Sequence, residues 1–95
     1  MKTSNPVRDI GPVSNTEAFK AAEHWRRYAH RQSLVFMDRE GRWFCLRYDR
    51  EALKRAMLAV GTRGFIYHRG EGHPARVGWH EACVRLRNMN YIETF

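Results

Sequence analysis

Cysteine is scarce in this chain. Cys45 and Cys83 are the only two among 95 residues, too few for a disulfide scaffold, which points to a reducing, cytoplasmic location. Long apolar runs are missing as well: nothing approaches the roughly 20 residues of a membrane span, so no membrane partner is expected. Residues 1–6 carry no apolar block behind Lys2 and do not read as a secretory signal. Acidic charge is in short supply, with ten Asp and Glu against seventeen Lys and Arg and a net charge of +7. Aromatic residues, by contrast, are plentiful. At 13% aromatic and 43% apolar the chain is too rich for disorder and should pack a core. Its length suits a single domain.

Patterns that carry common chemistries are also absent. Metal-assisted or acid–base hydrolysis wants convergent carboxylates, but the only aspartates are Asp9, Asp38 and Asp49, and the last two read as turn and cap residues. Ser33 and Cys45 lack a nucleophile signature such as Gly-x-Ser-x-Gly. Gly70 and Gly72 are followed by His73-Pro74 rather than Lys-Ser or Lys-Thr, so they form no phosphate-binding loop. His80-Glu81 begins like a metalloprotease motif, yet Val84 stands where the second histidine is needed. His68, His73, His80 and Cys83 cluster in sequence without a paired Cys-x-x-Cys or His-x3-His unit to bring four ligands together. No enzyme activity, metal or cofactor is expected.

What is present reads as an α+β pattern. Residues 1–14 hold Pro6, Gly11 and Pro12 and read as an extended, partly mobile lead-in to a single domain over 15–95. Ser14 and Glu17 have the spacing of a capping box. The helix they open carries Ala18, Ala22, Trp25 and Ala29 on one face and should end near Arg31. Residues 33–38 and 42–48 read as a β-hairpin turning at Gly41. Asp49 should cap a helix over 50–60 that stops at Gly61. A third strand is predicted over 64–68, a helix over 74–88 opened by Pro74, and a closing strand over 91–95. The rival for 76–80 is a strand. The order is α-ββ-α-β-α-β, with helices on one face of a mainly four-stranded sheet.

The cation excess is spread along the chain, with no basic tail, so an electrostatic partner should meet the folded surface. Fourteen of the seventeen cations are arginine, whose planar fork suits phosphate and carboxylate. A GC-rich genome produces the same bias without function. On the first helix Lys20, His24, Arg27 and Arg31 form one stripe, joined by Arg26 and His30. Cations near a helix C-terminus also offset the macrodipole, and Glu23 has the spacing to pair with Arg27, so a solvated surface helix explains the stripe equally. A second candidate surface is the strand with Tyr67 beside Phe65, flanked by Arg63 and Arg69, which could stack unpaired bases if exposed. If buried, the two rings are core.

These features point first to a non-catalytic nucleic-acid-binding module, for RNA or DNA, that contacts phosphates through arginine. The alternative is a small basic inhibitor or adaptor docking Arg and aromatic residues, Trp25, Trp43, Tyr48 and Trp79 among them, on an acidic protein or nucleoprotein. Phage and mobile-element modulators, anti-CRISPR proteins included, share that size and style, though no sequence resemblance links them to this chain. Either a monomer or a homodimer paired through an edge strand at 91–95 fits the pattern.

Overall fold

The structure, a computed structural model, describes residues 9–70, 72 and 74–93. Its elements are β1 (Ile10–Val13), α1 (Asn15–Ala29), β2 (Ser33–Met37), β3 (Trp43–Arg47), α2 (Arg50–Val60), β4 (Ile66–Arg69), β5 (Ala75–Val77) and α3 (Trp79–Glu93). The strands form one antiparallel sheet in the order β1-β3-β2-β4-β5. The predicted α+β class holds and the element order broadly matches, with five strands in the sheet rather than four.

Local chemistry sets most boundaries. Ser14 Oγ accepts from the Glu17 amide at 3.1 Å while the Glu17 carboxylate accepts from the Ser14 amide at 3.2 Å, which opens α1. The helix closes on His30 in the left-handed region, φ 54°. In the β2–β3 hairpin the Asp38 carboxylate accepts the amides of Glu40 and Arg42, each at 2.9 Å, and Gly41 supplies the positive φ of 84°. Asp49 accepts the Ala52 amide at 2.8 Å and starts α2.

The helices do not share one face of the sheet as expected. Leu34, Phe36, Leu46 and Ile66 pack with Leu53, Ala56 and Met57 of α2 and Ala82 of α3. On the opposite face Val35 and Cys45 pack beneath Ala18 and Ala22 of α1. The reason is visible in β2, where four successive residues from Ser33 to Phe36 are buried. Alternating strands leave one face wet, whereas a continuous buried run requires a cover on each side.

Three further expectations change. Residues 10–13 belong to the sheet rather than to a mobile lead-in: β1 pairs with β3, and Asp9 accepts the Arg47 amide at 3.0 Å. Their Gly-Pro pair suggests a loop locally, and only the partner strand makes them β. Within 74–88 strand and helix both occur, with β5 on one side of Gly78 and α3 on the other, where the Gly78 carbonyl accepts from the Ala82 amide at 2.9 Å. Over 91–95, α3 continues through Glu93 in place of the closing strand, and residues 94 and 95 lie outside the described residues. Among the described residues, no helix is long and apolar enough to cross a membrane.

Candidate nucleic-acid interface

The stripe on α1 divides into cations that hold the fold and cations on the surface. Glu23 is the organiser. Its carboxylate accepts from Arg26 at 2.7 Å, from Arg27 at 3.2 Å and from Arg69 of β4 at 2.5 Å. Hydrogen bonds from Arg26, then Arg69, lower the Glu23 pKa to about 2. Arg69 is therefore turned under α1, its side chain only 14% exposed, rather than flanking an open strand. His24 leans on Tyr28, ring centroids 4.8 Å apart. Lys20, Arg27, His30 and Arg31 are exposed. At the helix's C-terminal end Arg26, His30, Arg31 and Gln32 line a cavity of about 330 Å³ with Gly70 and Gly72.

The second predicted surface opens at the other end of β4. Registers place Met37 opposite Trp43 and Val35 opposite Tyr67, on the sheet face that α1 covers incompletely. Phe19 seals part of that face, its ring 5.8 Å from Trp43 and 5.5 Å from Tyr67, so Tyr67 is half-buried. Beyond it the sheet is open. Met37 and Phe65 are each 46% exposed. They line a groove of about 480 Å³ with Trp43, Tyr67, Arg39 and Arg63. The Arg76 guanidinium lies 4.3 Å from the centre of the Phe65 ring, a cation–π contact. Asp38 is the one carboxylate among the described residues that line the groove, and it is already committed. Its pKa is lowered by the Arg42 amide and by the Arg42 guanidinium, whose Nε lies 2.9 Å away.

The sequence reading missed a polar network on the α3 side. His68 Nδ1 lies 3.0 Å from Arg85 Nη1, which can only donate, so this nitrogen is the acceptor. Its Nε2 must then carry the hydrogen and donate to Gln32 Oε1 at 2.9 Å. The imidazole is neutral in a defined tautomer, and burial, then the Arg85 charge, lowers its pKa. Arg85 also donates twice to Glu81, at 2.8 and 3.1 Å, and the Tyr48 ring packs on His68 at 4.5 Å. Nothing in the spacing of residues 32, 48, 68, 81 and 85 announces this meeting, since β4, α3 and the connections after α1 and β3 all contribute. Both ring nitrogens are engaged, which suits a structural tie rather than a general base.

Trp25, an expected anchor for a protein partner, is 3% exposed and belongs to the core, whereas Trp79 is 37% exposed. Among the described residues, no three His, Cys, Asp or Glu side chains converge to hold a metal, and His73 lies outside them. The geometry defines a small α+β domain with an arginine-rimmed aromatic groove. No protein family, curated protein or solved structure matches this chain.

Proposed function

We propose that the chain is a non-catalytic nucleic-acid-binding module whose folded surface meets phosphates through arginine. The observation that carries this reading is the division of charge. Glu23, Asp38, Glu40, Asp49 and Glu81 are each held in an ion pair with arginine. Lys20, Arg31, Arg39, Arg63 and Arg76 make no ion pair among the described residues. These five acids are already answered by arginine, Glu40, Asp49 and Glu81 in pairs at the surface, while cations without an ion pair face outward, which favours a polyanion. Cys45 and Cys83 are both free thiols, in keeping with a cytoplasmic setting.

Fluorescence anisotropy against labelled RNA and DNA over a salt series tests the reading. Affinity should fall steeply with salt, and Arg31→Ala and Arg63→Ala should each flatten the log–log slope by about one. Absence of binding at low salt overturns it and leaves the acidic-protein partner, to be sought by pull-down.

A further inference from the structure

We infer that the groove at the Phe65 end of β4 takes unpaired bases, which makes the protein selective for single-stranded over duplex nucleic acid. The inference rests on the nucleic-acid reading above and adds the class of ligand. Two properties of the groove combine to support it. The first is a set of aromatic and thioether surfaces left partly open where α1 stops covering the sheet: Met37 and Phe65 at 46% exposure, Phe65 carrying Arg76 over one side of its ring at 4.3 Å, with Trp43 and Tyr67 as the wall behind them. The second is charge without an answer. Arg39 and Arg63 line the same groove, and Asp38 is spent on Arg42 and on two backbone amides.

A duplex would use the guanidinium groups but not the rings, because its bases are already paired and stacked on one another. An unpaired strand uses both, placing bases on the aromatic faces while arginines hold phosphates. An acidic peptide would satisfy the charge, yet brings a flat ring only where its own sequence holds an aromatic residue, whereas every nucleotide of a single strand brings one. Such a peptide also cannot add to β4 as a strand, because β4 is flanked on both sides by β2 and β5. Charge and ring faces together therefore favour a single strand.

The experiment uses the full chain and three probes of equal length: a labelled mixed-sequence single strand, its duplex, and a strand with every base removed. Comparison with Phe65→Leu separates a ring face from simple greasiness, and Phe65→Tyr restores the ring. Phe65 lies at the surface, and melting temperatures of the variants confirm that they fold. The single strand should bind at least about fivefold more tightly than the duplex or the baseless strand. That preference should disappear in Phe65→Leu and return in Phe65→Tyr. A 2-aminopurine base in the strand should change fluorescence on binding to the wild type and not to Phe65→Leu. Equal affinity for all three probes, with Phe65→Leu silent, overturns base stacking and leaves phosphate binding intact. No binding to any probe at low salt overturns both readings.

Discussion

The Glu23 carboxylate on α1 receives the Arg69 guanidinium from β4 at 2.5 Å, joining a helix to the strand beneath it across 46 residues of chain. Among the described residues, Arg69 Nη1 is buried without a hydrogen-bond partner. Two more guanidinium groups, from Arg26 and Arg27, converge on the same acid. One carboxylate thus answers three cations, and its removal should be felt both as lost attraction and as repulsion among those that remain.

Acid should expose this dependence. The Glu23 pKa lies at about 2 in the folded chain against 4.5 for the ordinary carboxyl. A carboxyl with a depressed folded pKa contributes stability that is full above the unfolded value and is lost as pH falls through the folded one. The wild type should therefore lose this contribution between pH 4.5 and about 2. Glu23→Gln should melt lower at neutral pH, and its melting temperature should change less across that window. Thermal scans by circular dichroism at a series of pH values check both points.

His68 should titrate below its ordinary value of 6.5. Its neutral form is favoured by the fold, so unfolded chains bind the proton first and stability falls as pH drops through 6.5 toward the folded pKa. Nitrogen NMR should show the Nε2–H tautomer at neutral pH. In Arg85→Met the facing charge is gone while Glu81 remains, and the His68 pKa should rise.

The two thiols should differ in reactivity. Cys45 is fully buried, and burial pushes its pKa up to about 11, with the Ser33 hydroxyl as its polar neighbour. Cys83 is only half-buried. Iodoacetamide at mildly alkaline pH should label Cys83 first and Cys45 only after unfolding, read by mass spectrometry of the intact chain and its peptides.

Helix α2 provides an internal contrast for packing. Leu53 is 0% exposed and Leu58 is 73% exposed. Leu53→Ala should cost about 2–5 kcal/mol through lost contacts and the cavity left behind. Leu58→Ala should stay within about 0.5 kcal/mol. Urea titration of the two variants measures the difference directly.

How much of this was legible in the sequence follows the range of the interactions. The Ser14–Glu17 box, the Asp38–Gly41 turn and the Asp49 cap join residues three or four positions apart. Their elements could be placed from residue type alone. The stripe from Lys20 to Arg31 was equally plain, being a matter of helical spacing. Its division was not: Arg69, 46 positions beyond Glu23, turns part of the stripe into an internal tie.

By itself, then, the sequence determined the α+β class, α1 and its cap, the hairpin, α2, and the surplus of arginine. Each of these is written in neighbours or in composition. Tertiary structure alone decided that α1 covers the opposite face from α2 and α3, and that residues 10–13 become a strand by pairing with β3. It also decided that His68, Arg85, Gln32 and Tyr48 meet, and that Phe65 stays at the surface while Tyr67 is half-covered by Phe19. The physical reason is common to all four. Burial and strand pairing depend on which distant segment arrives beside a residue, and a local pattern of apolar and polar residues is compatible with several such arrivals.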